Sequence, residues 1–502
     1  MGTSMFLILL TAIVLGAPTL IYPFGRDQGE YAWIAASTLN GNLCYSDIFN
    51  VKPPLTHLVH QAALLLFGHS MASIRILDLL WQGATAILIF MIAKQSKYPS
   101  TASVLAAILY LFSYYEMDFW MTAQTDGFLT LPIAVAILLF LHAQQKNHLW
   151  IYAASGMSIG LAILFKYPIG IIGVFLPILI VIRLKKNCLL PVLAMGTGSL
   201  LPLVVSALIM FMRGNLADFL WIQSTYISKY STISYQNPNY MGPIYIFFRT
   251  VLMPAIPGWY GLFIGARHAR PAPLTVIAIW WISAVFHFVI QNKFYDYHAL
   301  PIFAPLALMT SYLFVDVFKT RDRIRFALGT FGVALMVFPI FVYDFPQKYI
   351  RLLDVVTHKV PLQTAYHDEE FDRDGPSSHA DLEIAEYLIS NTGKDETIFI
   401  WGFDPSVYFL SERGNATRFA YNFPLYGPKA SPELQQEFIS EIQVQIPVYV
   451  VIVRNDSIFH VTATADDSWA AFNSFDEFHT FVLENYHIET TIEDFILYRL
   501  NQ

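Results

Sequence analysis

The chain has 502 residues, of which 55% are hydrophobic and only 13% charged. Soluble domains carry about 25% charge, so a disordered chain is excluded and a purely soluble enzyme is disfavoured. Residues 1–344 hold 20 basic and 12 acidic residues, while residues 345–502 hold 10 basic and 25 acidic. A basic body with an acidic tail is unlike a nucleic-acid binder, and two cysteines, Cys44 and Cys188, exclude a disulfide-dense scaffold or a thiolate metal cluster.

A helix needs about 20 apolar residues to cross the bilayer core. Runs of about that length predict eleven spans, near 5–22, 73–93, 101–117, 127–144, 149–165, 168–183, 189–211, 243–264, 272–290, 298–318 and 325–343. The first lacks the basic start and small-residue cleavage site of a signal peptide, so it is expected to be retained. Lys94 and Lys97, Lys146, the Arg183-to-Lys186 cluster, Arg267 and Arg270, and the Lys319-to-Arg325 cluster fall in links of one parity. Basic links lie in the cytoplasm, so residues 344–502 are expected outside. Three segments between spans are expected on that outer side. In the first, residues 23–62, the pattern predicts a short helix over 27–40 and an amphipathic one over 53–67, whose His57, His60 and Gln61 suit the interface better than lipid. Residues 213–242 read as a long loop rich in Tyr, Ser and Asn, and residues 291–298 as a compact polar cluster.

After the last span, residues 344–380 read as polar and poorly periodic. Ala380–Leu388, Ser406–Ser411, Leu434–Ile442 and Trp469–Tyr486 read as helices; Thr397–Trp401, Val448–Val453 and Phe495–Leu500 read as strands. This alternation predicts a small α/β domain. It has neither GxGxxG nor P-loop, and its plain reading is a packing or substrate-capping domain.

Lone charges beside spans are costly and mark function. Asp27 and Glu30 are one helical turn apart and share a face. They serve as a general base and a sugar or metal ligand, unless Arg26 or Asp27 merely caps the helix. Lys52, before Pro53 and Pro54, faces the same side and suits a phosphate; a structural turn is the alternative. Asp126 opens the fourth span, where an N-cap is the plain reading. Lys166 and Lys293 oppose the inside bias, which points to an anionic partner; snorkelling alone would also place Lys166 there. His298 reads as an interface histidine before a ligand, and Arg75 with Asp78 as an ion pair or cap pair.

These residues carry a resemblance. The run Arg26-Asp27-Gln28-Gly29-Glu30-Tyr31-Ala32, followed by Tyr45 and Lys52-Pro53-Pro54, resembles the first outer loop of GT-C glycosyltransferases, in the bacterial protein-mannosyltransferase-like and lipid A aminoarabinose-transferase-like group. Asp126-Gly127, Lys166, the run Lys293 to Tyr297 with Leu300-Pro301, and Trp401-Gly402 with Pro405 extend it. The resemblance implies a mainly α, polytopic GT-C fold over residues 1–343 and an extracytoplasmic α/β domain over 344–502. It implies a multi-pass protein of the bacterial plasma membrane that moves a sugar, with inversion, from a polyprenyl-phosphate donor to an envelope lipid, glycan or protein. Asp27 matches the catalytic acidic position of the first outer loop and Glu30 an adjacent acidic position, and both are expected in the catalytic site. Lys52, Lys166 and Lys293 would hold the donor phosphate, and Arg26, Tyr31, Tyr45, Asp126, Tyr297 and His298 would contact substrate. Some relatives use a divalent metal held partly by a histidine of the central outer loop. Residues 213–242 contain no histidine, which leaves metal dependence open. The competing class is a transporter or flippase of lipid-linked glycans, and a structural assembly role is a third. The sugar, the acceptor (lipid A, O-antigen, cell-wall glycan or protein) and the oligomeric state are not written in the sequence.

Overall fold

The computed structural model describes residues 1–231, 241–267, 271–315, 317, 321–342, 345–367, 371, 377–428 and 430–501. It is a mainly α polytopic membrane fold with a C-terminal α/β domain. Eight helices among the described residues are long and apolar enough to cross a bilayer: Gly2–Ile21, Met71–Gln95, Thr125–Lys146, Tyr167–Asn187, Leu189–Arg213, Pro273–Ile290, Asp296–Phe314 and Arg323–Ile340.

The other three expected spans are shorter or irregular. Ser100–Tyr115 has 16 residues and Leu149–Ile163 has 15, which at 1.5 Å per residue reach only about 24 Å. The third is helical throughout residues 241–267 but carries a π-helical turn at Phe248–Leu252 between Met241–Phe247 and Met253–Arg267. The count of eleven therefore does not follow from helix length. The first loop touches the C-terminal domain directly, since Phe49 N donates to Arg418 O at 2.8 Å.

Close packing holds the bundle. Gly156, Gly160 and Gly198 let two helices, Leu149–Ile163 and Leu189–Arg213, touch backbone to backbone; a Cβ at Gly156 or Gly198 would sit 2.0 Å from a carbonyl oxygen of the other helix. This is small-residue packing of the kind lipid favours. Asp296–Phe314 is the central helix, with all of Leu300–Ser311 buried, whereas Leu189–Arg213 exposes Leu200, Leu201, Val204, Leu208 and Phe211 towards lipid.

Two segments depart from the sequence expectation. Residues 216–230 are helical rather than a loop: Leu216–Trp221, a π turn Ile222–Tyr226, then Ile227–Tyr230. Their Tyr226 packs its edge on Phe49 at 5.0 Å, so aromatic contacts order a stretch that composition marks as polar. Residues 345–356 are also helical; Ile350, Leu353 and Val356 form an exposed apolar edge, while Lys348 and Arg351 are buried over Tyr22 and Phe371. The expected domain boundary at 343/344 falls outside the described residues.

The C-terminal domain has a five-stranded sheet: β1 Thr397–Trp401, β2 Gly414–Asn415, β3 Tyr449–Val453, β4 Tyr486–Ile492 and β5 Phe495–Leu500, in the order β2-β1-β3-β5-β4. β1 runs parallel to β2 and β3; β5 is antiparallel to β3 and β4. β3 is buried throughout, which explains its continuous Tyr-Val-Val-Ile-Val run. β4 and the two-residue β2 were not legible as strands. The expected helix 469–486 divides into Ser468–Ser474 and Asp476–Asn485, after which the chain turns into β4.

Candidate active site

The first-loop helix spans Arg26–Leu39. Its first turn is fixed from below by Gln28, whose amide donates to the carbonyls of Phe119, Trp120 and Thr122 at 3.3, 2.8 and 2.7 Å. Gly29 lies against the C-terminal domain, where a Cβ would sit 2.2 Å from Ser406 Oγ and 3.0 Å from Ser406 Cα. Glycine is required there because the two backbones touch. Arg26 reaches the same domain: its Nε lies 3.9 Å from Asp404 Oδ1, with both side chains nearly buried. Each residue of the Arg-Asp-Gln-Gly-Glu run thus has its own task.

Arg26, Asp27 and Glu30 line one cavity of 680 Å³, together with Lys52, Tyr297 and aromatic residues of both parts of the chain. Asp27 is half-buried and accepts a hydrogen bond from Gln124 Nε2 at 3.2 Å. Glu30 is buried and accepts from Asn50 Nδ2. Asn50 is itself held, since its Oδ1 accepts from Lys52 N at 2.8 Å and lies 3.1 Å from His57 Nε2. Burial is the main reason that the Glu30 carboxyl is pushed up to about 8; the Lys52 ammonium opposes it, and Asp27 adds to it. Burial works against the charge of Lys52, but Asp27 and Glu30 outweigh it and leave the ammonium above its ordinary value. Lys52 Nζ stands 5.4 Å from the centre of the Tyr31 ring.

The remaining sequence-nominated residues divide. Tyr297 is on the cavity wall. Tyr31 is packed behind it, against His57 and His60. Tyr45 also lies behind, its hydroxyl donating to Lys52 O at 2.9 Å and its ring edge-on to Phe219. Asp126 does more than cap a helix: Oδ2 accepts from Lys166 Nζ at 2.7 Å and Oδ1 lies 2.6 Å from His287 Nε2. Lys166 is therefore engaged by a carboxylate, and its ammonium stands 5.5 Å over Tyr297. Lys293 is buried with its ammonium 4.3 Å over Tyr230, a ring that does line the cavity. Its own value is lowered to about 8 by burial. His298 packs against Tyr295 and Tyr297. The three lysines thus do not line one wall; Lys52 alone among them borders the cavity.

Arg75 and Asp78 are not an ion pair. Arg75 donates to the carbonyls of Pro23, Phe119 and Thr122 and to Thr122 Oγ1, while Asp78 accepts from Tyr114 and Gln82. Ser70 caps that helix instead.

Sequence reasoning missed Asn50, Gln124, His287 and the C-terminal contribution of Phe403, Tyr421 and Phe423. A lone histidine in the apolar run 271–290 was a legible signal for His287; the long-range contacts had none. Among the described residues, no group of three or more His, Cys, Asp or Glu is placed to hold a metal ion.

The fold matches ArnT from Cupriavidus metallidurans bound to undecaprenyl phosphate, with a TM-score of 0.60 over 98% of this chain and 97% of that one at 14% identity. It also matches the archaeal oligosaccharyltransferase AglB from Archaeoglobus fulgidus, in complex with an inhibitory peptide and a dolichol-phosphate (TM-score 0.51, 12% identity, 100% and 74% coverage). Residues 51–211 match the family described as dolichyl-phosphate-mannose-protein mannosyltransferase. That family match covers about a third of the chain, and the structural matches show a shared fold. The chain is 23% identical over 310 residues to an undecaprenyl phosphate-alpha-4-amino-4-deoxy-L-arabinose arabinosyl transferase of Aeromonas hydrophila, covering 57% of this chain and 55% of the relative. A second such transferase, of Proteus mirabilis, is 23% identical over 363 residues, covering 66% and 63%. The matched region thus spans less than two thirds of those relatives.

Proposed function

We propose that this protein is an inverting GT-C glycosyltransferase that takes a sugar from a polyprenyl-phosphate donor and passes it to an envelope acceptor at the outer face of a bacterial plasma membrane. The observation that carries the reading is the convergence of Asp27, Glu30 and Lys52 on one cavity at the boundary between the membrane body and the C-terminal domain. The donors of the related transferases, undecaprenyl phosphate-linked in name, suit an ammonium such as Lys52. The five basic links support placing the C-terminal domain and the cavity outside.

In this reading an acceptor hydroxyl oxygen attacks the anomeric carbon as Asp27 takes the hydroxyl proton. The bond from that carbon to the phosphate oxygen breaks, and polyprenyl phosphate leaves with its added charge held by Lys52. Glu30, protonated near neutral pH, offers a hydrogen-bond donor where Asp27 offers an acceptor; environment separates the roles of two neighbouring carboxyls. The donor test uses purified protein in detergent with a synthetic polyprenyl-phosphate sugar and an envelope lipid extract. Sugar transfer in that single compartment supports the proposal. Donor binding with no transfer to any envelope acceptor refutes it and leaves transport of lipid-linked glycans.

A further inference from the structure

The helix that leads from the last span towards the C-terminal domain is amphipathic with the wrong face outward for water. Phe345–Val356 starts three residues after the last span's helix ends at Val342. It packs against the Ala17–Ile21 turn, where the first span ends, so it lies at the height of the bilayer surface. On its inner face Lys348 Nζ stands 5.9 Å from the centre of the Tyr22 ring, and the Arg351 guanidinium 4.8 Å from that of Phe371. Both rings belong to a buried cluster with Phe119 and Tyr366, and these contacts fix how the helix is turned about its axis. On its outer face Ile350, Leu353 and Val356 recur every third residue and are 50%, 57% and 62% exposed.

We propose that Phe345–Val356 is an interfacial anchor that seats its Ile350, Leu353 and Val356 edge among the upper acyl chains of the leaflet on the side of the C-terminal domain. A helix in water turns its apolar stripe inward and its charges outward. Here the two cations are inside and the apolar stripe is outside. Burying charge is costly and the aromatic rings offset only part of that cost, so this rotation is stable where the outer face meets an apolar medium. The last span touches the helix and exposes Phe331 and Phe338 towards lipid, so the apolar exterior of the bundle continues onto it. Interfacial helices bury their apolar face about 5–10 Å into the headgroup and acyl boundary. Because Lys348 and Arg351 point away from the lipid, seating should not need anionic headgroups. The anchor also reaches towards the cavity: Phe371 meets Phe119 edge-on at 5.2 Å, and the Phe119 carbonyl accepts from Gln28 in the first-loop helix.

The test places an environment-sensitive fluorophore on Leu353→Cys, in a full-length chain lacking Cys44 and Cys188, reconstituted in nanodiscs of pure phosphatidylcholine. Its emission should be lost to a doxyl group near the headgroup end of the acyl chain, less so to one near the methyl end, and hardly at all to aqueous iodide. Ile350→Cys, on the same exposed edge, should behave alike and keeps the question decidable if one variant folds poorly. Quenching by iodide with none by either doxyl lipid would leave the edge in water and overturn the proposal. Stronger quenching from the methyl end also overturns it, because the segment would then run deep into the bilayer instead of lying on it. Protection from lipid and iodide quenchers alike overturns it too, and cross-linking of Leu353→Cys between two copies by a short bifunctional maleimide would then name a second copy of this chain as the occupant.

Discussion

Asp27→Asn separates chemistry from architecture. The substitution keeps shape and leaves an oxygen to accept from the Gln124 amide, now 3.2 Å from Oδ2. Only one hydrogen bond is at stake, and turning it from charge-assisted to neutral costs about 1 kcal/mol; the side chain is only half-buried, so the unfolding temperature should hardly change. Donor affinity should hold or rise, because the Asp27 carboxylate acts on Lys52 more strongly than any other neighbouring charge and its removal leaves that ammonium freer for a phosphate. Transfer should nevertheless collapse. General-base assistance is worth typically 10²–10⁴-fold, or about 3–5 kcal/mol of barrier. The assay is initial transfer rate at saturating donor, with donor affinity measured separately on the same preparation by displacement of a fluorescent polyprenyl phosphate. Near-full turnover in Asp27→Asn with none in Glu30→Gln would make Glu30 the base and refute the assignment of roles. Full turnover in both would move the chemistry elsewhere.

Four further outcomes are expected. Burial keeps Glu30 protonated up to about 8, so transfer should fall as pH rises through 8 and Glu30→Gln should flatten that limb; because the unfolded chain releases this proton near 4.5, stability should also decline between about 4.5 and 8, read as a falling unfolding temperature. Lys52→Ala should weaken donor binding about 10–100-fold, whereas Lys166→Ala should first cost stability, since it strips Asp126 of a partner 2.7 Å away; fluorescent-donor titration and thermal unfolding distinguish the two. His287→Ala, which removes the other Asp126 partner, should lower stability by about 1–3 kcal/mol, measured by thermal unfolding in detergent. Ala430→Cys in a chain lacking Cys44 and Cys188 should react with an impermeant maleimide on intact cells whose outer membrane has been opened; labelling only after the plasma membrane is broken would reverse the orientation.

The membrane body was legible because lipid imposes a crude rule on composition, and eight of eleven expected spans satisfy it. Ser100–Tyr115 and Leu149–Ile163 resisted because apolarity persists a few residues beyond the helical hydrogen bonds. The first-loop motif was legible for a different reason. Asp27 and Glu30 are related by local helical geometry, which spacing encodes, and both reach one cavity. Lys166 illustrates the limit. Its parity made it conspicuous, yet its partner Asp126 is 40 residues away and that carboxylate's second partner, His287, 161 residues away. Nothing local distinguishes a lysine waiting for an anionic ligand from one already paired. Pro54–Phe67 was placed at the interface because His57 and His60 are awkward in lipid; both are buried in protein, and the opposite side exposes Leu58, Leu65 and Leu66.

That Glu30 and Tyr421 line one cavity also orders events during biogenesis. The two residues are 391 positions apart, and ribosomes add about 5–20 residues per second. The first-loop carboxyls are therefore synthesised about 20–80 s before the segment that closes over them. A nascent chain already inserted in the bilayer has the acidic motif but not the cavity, and it gains the cavity only once its last third has been synthesised and has folded. Truncated or stalled products should consequently occupy the membrane without an assembled pocket.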